Sequence, residues 1–436
     1  MSKVLGVLVI ARNGDREEFF QDPKTYEPSP TRSTPLGAAE SFLLGSYLRS
    51  QYLSPSSSSQ ISGIKHGVVD THQVHFYAKA GGEGAAIFDS TMALLQGLYP
   101  PNPNNKITLA NETTIVAPLG GYQYIPIETV EPTNDRSLEP WTDCLAFQRH
   151  VADVYASPEF KAAAKSAQPF FQSIKDYVFG RPTTLENAVN IYDYMNTQLV
   201  HNQTYAYRLP PTLIDQARNF ANYHESAVFS SKELGGIGNL AGRTILHSII
   251  DSLDRITFNG DPLKFLLIET SYQPFISLFQ MLGLTKEYPE LIAIPNFASA
   301  FAFEIRRGPG PEIRDFLRIK FKNGSDEGFQ TYHAFGHKAD IPVTEFVYKL
   351  ENYAITSQKQ WNAACNLPYD AYATHNGVYL TSVSVTVQAA LAAMLFVGLL
   401  ALSKRVWRRR GVRSHAHGYE YRHEPVTADV KRGVTL

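Results

Sequence analysis

The chain has 436 residues, 44% hydrophobic and 12% aromatic, enough to bury substantial cores and too apolar for a disordered or collagen-like chain. Forty basic against 41 acidic residues leave a net charge of −1. Nine of the basic and three of the acidic residues fall in 404–436, so the rest of the chain is mildly acidic and offers nucleic acid no basic face. Two cysteines, Cys144 and Cys365, exclude a disulfide-rich scaffold and a cysteine-based zinc finger; they leave open one long-range disulfide or two free thiols.

Val4–Ala11 is a continuous apolar run, the pattern of a strand buried on both faces, and it ends in the polar turn Arg12-Asn13-Gly14-Asp15-Arg16. Leu36, Ala39, Leu43 and Leu48 repeat at helical spacing within Pro35–Gln51, with Thr34 as N-cap. Val74–Ala80 reads as a second strand, and Gly81-Gly82-Glu83-Gly84 turns it into an amphipathic helix, Ala85–Leu98. From Trp141 to about Ser231 strand runs vanish and helical patterns dominate, as in Ser157–Phe179 and Leu185–Leu199. Strand signals return at Phe265–Ile268, Ala298–Ile305 and Phe316–Phe321, the last followed by a hairpin signal at Asn323-Gly324. Strand–helix alternation interrupted by helices predicts an α/β core carrying a helical cap. Sites in such sheets lie beyond the carboxyl ends of strands, at Arg12–Arg16 and after Ile268.

Residues 381–402 hold no charge over 22 residues, long enough at 1.5 Å per residue to cross a hydrocarbon core of about 30 Å. Lys404, Arg405, Arg408, Arg409, Arg410 and Arg413 follow at once. A basic flank of this kind places the tail in the cytosol, the body lumenal or extracellular, and anionic lipid headgroups against the tail. No cleavable leader is evident in Met1–Ile10. That leaves open a start further upstream, a body translocated by the membrane helix alone, and a cytosolic body. Sequons at Asn111, Asn202 and Asn323 are as many as chance supplies and do not settle the side.

Arg12-Asn13-Gly14-Asp15-Arg16 resembles the Arg-His-Gly-x-Arg signature of the histidine acid phosphatase family, within the phosphoglycerate-mutase-like superfamily. Further stretches resemble that family in order: Thr34-Pro35-Leu36-Gly37, Gly97-Leu98-Tyr99-Pro100, Pro126–Val130 with Asp135, Leu138 and Cys144, Leu266–Leu284, Phe297-Ala298-Ser299-Ala300 with Phe303-Glu304, and Trp361 with Cys365. The resemblance covers residues 4–366. It implies a three-layer α/β/α phosphoglycerate-mutase-like core in two parts, 1–140 and 232–375, around the all-helical cap at 141–231; the transmembrane helix at 381–402 and the basic tail from 403 to 436 follow from the residues alone. It also implies a Cys144–Cys365 disulfide, which belongs to an oxidising compartment.

Family members cleave phosphomonoesters through a phosphohistidine, which needs an imidazole with an available lone pair, arginine forks for the phosphoryl oxygens and a carboxylic acid for the leaving group. By the resemblance, this chain places Asn13 at the nucleophile, Ala86 at the mid-chain arginine, and Tyr272-Gln273 at the His-Asp pair. A carboxamide nitrogen, its lone pair delocalised, cannot attack phosphorus. Lys79 and Glu83 lie near the missing arginine without matching its position. Arg12 and Arg16 survive and leave a phosphate-like or other anionic ligand open. The expectation is a membrane-anchored pseudo-phosphatase acting by binding; the alternative is an active acid phosphatase or phytase-like hydrolase with a rewired site. No cofactor is expected. His66, His72 and His75 cluster without a carboxylate or cysteine placed to complete a metal site, and Ser271 and Ser299 lack a Gly-x-Ser-x-Gly setting.

Overall fold

The computed structural model describes residues 3–257, 260–308, 314–325 and 327–366. The predicted membrane segment 381–402 and the tail 403–436 lie outside them; among the described residues no helix is long and apolar enough to cross a membrane.

Ten strands form: β1 (Lys3–Arg12), β2 (Val74–Lys79), β3 (Lys106–Thr108), β4 (Thr114–Val116), β5 (Glu128–Val130), β6 (Phe265–Thr270), β7 (Ala300–Arg307), β8 (Asp315–Lys322), β9 (Gln330–Tyr332) and β10 (Ile341–Pro342). The main sheet runs β10-β8-β7-β1-β6-β2-β5, with β9 on β8. The pairs β1–β6, β6–β2 and β2–β5 are parallel, while β7 and β8 join antiparallel. The apolar run in β1 is explained by its central place, because both of its faces are covered. Val7 and Val9 pack with Leu44, Leu48, Leu94 and Leu98 of α1 (Pro35–Leu48) and α2 (Gly84–Leu98). Leu8 and Ile10 face Ile245, Ile249, Phe275 and Phe279, from helices Leu240–Thr257 and Gln273–Met281. The result is a three-layer α/β/α core.

Between β5 and β6 the described residues form no strand. The helices Leu145–Ala156, Pro158–Ser173, Ala188–His201 and Pro211–Val228 surround a separate core of Phe160, Phe170, Phe171, Ile191 and Met195. Ser157 caps the second of them by accepting from the Phe160 N–H at 3.2 Å, with Pro158 in the first helical position. That helix stops at Ser173, short of Phe179, because a 3₁₀ turn at Lys175–Tyr177 redirects the chain. Strand β7 starts at Ala300 rather than Ala298, whose φ of 54° is left-handed and cannot extend a strand. α1 ends at Leu48 and passes into a π-helical turn, Arg49–Leu53.

Cys144 and Cys365 are joined in a disulfide across 221 positions, tying the start of the cap to the end of helix Gln358–Ala364. Loop entropy gives such a bridge about 2–5 kcal/mol. Cys144→Ser is expected to lower the unfolding free energy by an amount in that range, and the urea midpoint with it. An unchanged midpoint in urea unfolding would show the link to be energetically idle.

Candidate functional site

Strand β1 delivers Arg12 to the carboxyl edge of the sheet, and the next four residues turn across the N-terminus of α1. The turn fits there because Gly14 and Gly37 touch: a Cβ on Gly37 would sit 1.9 Å from the Asp15 carbonyl oxygen, and one on Gly14 would sit 2.1 Å from that of Gly37. Thr34 caps α1 as expected, accepting from the Gly37 N–H at 3.1 Å, and donates to Asp15 Oδ2 at 2.5 Å. Asp15 Oδ2 is also 2.7 Å from His201 Nε2 of the cap.

Asn13 is fully buried. Its Nδ2 donates to the Gly14 carbonyl at 2.9 Å, and Gly14 N–H donates to Ser90 Oγ of α2 at 3.2 Å. Ala86, also fully buried in the first turn of α2, offers a methyl group where the resemblance implies a guanidinium. The surviving arginines have separate fates. Arg16 is 1% exposed and held by two carboxylates: Nε on Glu83 Oε1 at 2.5 Å and Nη1 on Asp193 Oδ1 at 2.8 Å. Burial lowers its pKa, but Asp193 and Glu83 outweigh that and hold it above the ordinary value. Burial raises the pKa of Glu83, and Arg16 and Lys79 reverse the sign. Arg12 donates to the Pro295 carbonyl, and its Nε has no hydrogen-bond partner among the described residues. The guanidinium lies 4.2 Å from the ring centre of Phe297 and 5.3 Å from that of Tyr272. Burial, then the charge of Arg16, lowers its pKa to about 10.

Lys79 and Glu83 therefore do not stand in for the missing arginine. Lys79 is buried on Glu139 at 2.7 Å, and Glu83 brings negative charge onto Arg16.

Where the resemblance implies a His-Asp pair, Tyr272 and Gln273 enter a buried hydrogen-bond chain joining core and cap. Tyr272 O–H donates to Glu225 Oε2 at 2.9 Å, Tyr26 O–H to Glu225 Oε1 at 3.0 Å, and Gln21 Nε2 to Tyr272 Oη at 2.9 Å. Gln273 Nε2 donates to Gln21 Oε1 at 3.0 Å. His224 Nδ1 lies 2.8 Å from Glu225 Oε1, and its Nε2 lies 2.8 Å from Tyr155 Oη. Burial and then Glu225 push the Tyr272 phenol well above its usual pKa, so it stays neutral.

These side chains fill the pocket. Arg12, Arg16, Phe19, Asn190, Asp193 and Tyr272 enclose only about 20 Å³, room for a single water. Outside lies an open cleft of about 500 Å³, bordered by Arg12, Glu40, Leu43, Asp193, Arg218 and Asn323. A phosphate oxygen about 4 Å from Glu83 or Asp193 would meet roughly 4 kcal/mol of repulsion per carboxylate at an effective dielectric near 20. The geometry suits a closed, charge-compensated interior, and among the described residues no imidazole lines this small pocket.

One further carboxyl sits behind the turn. Glu269 of β6 is fully buried, neither carboxyl oxygen has a hydrogen-bond partner among the described residues, and burial raises its pKa to about 8. The native state keeps a proton that the unfolded chain releases, so stability contributed below the unfolded pKa drains away as pH rises from about 4.5 to about 8. Glu269→Gln is expected to gain stability over the wild type progressively through that window and then level off. A pH-independent difference in urea midpoints would contradict this assignment.

Of the histidine cluster, His72 Nδ1 lies on Asp70 Oδ1 at 3.1 Å and His75 Nε2 on Glu128 Oε1 at 2.7 Å. Among the described residues no group of three metal-ligating side chains converges. Asp193, Glu225, Gln21 and Phe19 were not singled out from sequence. They lie on cap helices and on the loop after β1, where no local motif marks them.

The search of solved structures returned phytases. The Klebsiella sp. ASR1 phytase aligns with 85% of this chain and 99% of its own at TM-score 0.58 and 13% identity. The Citrobacter braakii phytase aligns with 83% and 99% at 0.57 and 12% identity. The fold is that of the histidine acid phosphatases. The Hafnia alvei phytase, solved in complex with tartrate, aligns with 84% of this chain and 99% of its own at TM-score 0.56 and 12% identity. At such identities the likeness is one of fold. No protein-family model matches the chain, and no curated protein does.

Proposed function

We propose that this chain is a catalytically silent protein on the histidine acid phosphatase fold, carried in a membrane by residues 381–402 with its basic tail in the cytosol, and acting by binding. The observation that carries the reading is the state of Arg16: a guanidinium at the place of a phosphate clamp is already charge-paired, Nε with Glu83 and Nη1 with Asp193. An amide replaces the nucleophile beside it. Hydrolysis by another route would need another nucleophile, a hydroxyl or a water activated directly, and Thr270 and Ser271 have no hydrogen-bond partner among the described residues to serve as base. Arg12 and Arg16 in this reading hold the old pocket shut. A ligand is left with the outer cleft, where Arg12 and Arg218 face Asp15, Glu40 and Asp193. That balance favours a mixed polar ligand over a polyphosphate.

The test is a chromogenic phosphomonoester with the full-length protein from pH 3 to 7, alongside Arg12→Gln. The expected result is turnover equal in both and no higher than buffer. Turnover present in the wild type and lost in Arg12→Gln would overturn the reading in favour of a rewired phosphatase. Calorimetric titration with inorganic phosphate is expected to show no heat of binding.

A further inference from the structure

The three sequons differ sharply in the fold. Asn323 Oδ1 accepts from the Asn296 N–H at 2.9 Å and from Ser299 O–H at 3.2 Å. Asn202 caps a helix, its Oδ1 accepting from the Tyr205 N–H at 3.1 Å and its Nδ2 donating to Gln198 Oε1 at 2.9 Å. Asn111 sits at the tip of the β3–β4 hairpin, where every residue from 106 to 116 is exposed. Its Oδ1 accepts from the Thr113 N–H at 3.1 Å, and no hydrogen bond engages its Nδ2 among the described residues. The turn is otherwise closed by the backbone alone, Leu109 N–H to Thr113 O and Glu112 N–H to Leu109 O, both 2.9 Å.

The hairpin carries a second anomaly. Ile107 and Ile115 are directly opposed across the strands, 62% and 49% exposed, with Leu109 beside them at 40% and Leu119 at 79% after the second strand. A two-stranded hairpin is marginal alone, and an uncovered apolar edge invites aggregation.

We propose that Asn111 carries an N-linked glycan and that the glycan shields this apolar hairpin. The donor is an oligosaccharide linked through diphosphate to a lipid. Asn111 Nδ2 forms a bond to the sugar's anomeric carbon, the bond from that carbon to the diphosphate oxygen breaks, the lipid diphosphate leaves with the electron pair, and the amide loses a proton. Attachment precedes folding, so the fold decides which sequons tolerate the product. Asn111 does so on a fully exposed turn without losing a contact, whereas a sugar on half-buried Asn323 would crowd the outer cleft beside Arg12. The proposal rests on the body lying outside the cytosol, and is separate from the question of hydrolysis.

The experiment expresses the full chain in a eukaryotic secretory cell and compares gel mobility before and after peptide N-glycosidase. A mobility step is expected in the wild type, lost in Asn111→Gln and Thr113→Ala and retained in Asn323→Gln. Asn111→Gln should also raise the aggregated fraction at least twofold. A step that survives Asn111→Gln unchanged overturns the assignment, and an unaltered aggregated fraction overturns the shielding. A wild type with no step also overturns it, and a tail reporter, Pro425→Asn, then locates the failure. Glycosylation of the tail places the body in the cytosol, and an unmodified tail shows Asn111 reachable and unused. Neither outcome touches the phosphomonoester assay, so the two proposals fail separately.

Discussion

Arg16→Met is expected to destabilise the protein by about 3–5 kcal/mol, the loss that follows when one partner of a buried ion pair is removed. Arg16 is 1% exposed, Glu83 1% and Asp193 14%. Without the guanidinium, two carboxylates share a closed space with only Lys79 and Arg12 as counter-charges, and Asp193, already raised by burial, takes up a proton. Adding Glu83→Gln and Asp193→Asn to Arg16→Met should recover much of the loss, because the triad acts as one unit. The measurement is urea unfolding of the full chain in detergent. An arginine that merely awaited an anion would behave differently: its removal would move stability by less than about 1 kcal/mol. Such a result would return Arg16 to the role of ligand clamp.

Asn13→His should restore no phosphatase activity. Catalytic groups acting as a unit are non-additive, so one member returned without the others gains little, here no more than about tenfold over background. The imidazole would find Arg16 paired with Glu83 and Asp193, Ala86 without a fork, and Tyr272 and Gln273 bound into the chain through Gln21 and Glu225. About 20 Å³ of free space also leaves no seat for a phosphoryl group. A large gain in rate from this single substitution would show that the site is assembled and lacks only its nucleophile.

The core is legible in the sequence where both faces of an element are buried. The run Val4–Ala11 and the helical spacing in α1 and α2 mark the centre of the sheet and one of its covering layers. The β3–β4 pair and β5 escape notice because three-residue strands carry no period, and the former has no buried face to pattern it. Asn13, Ala86, Tyr272 and Gln273, at the positions the resemblance assigns to the nucleophile, the mid-chain arginine and the His-Asp pair, are legible as residue types that lack the chemistry of the phosphohistidine route. The replacement contacts are not legible. Asp193 reaches Arg16 across 177 positions and Glu225 reaches Tyr272 across 47, and pairings between separate elements leave no local pattern. In three dimensions the two arginines read as an anion site differ: Arg16 is ion-paired with Glu83 and Asp193, and Arg12 lies beside two aromatic rings.

The central claim is that no side chain here takes up a phosphoryl group. Rapid-quench mixing of the full-length protein with a phosphomonoester radiolabelled at phosphorus, held under alkaline conditions that preserve phosphohistidine, tests it directly. The account predicts no label on the protein above that of a heat-denatured control. Label approaching one equivalent, chased off by water during turnover, would contradict it.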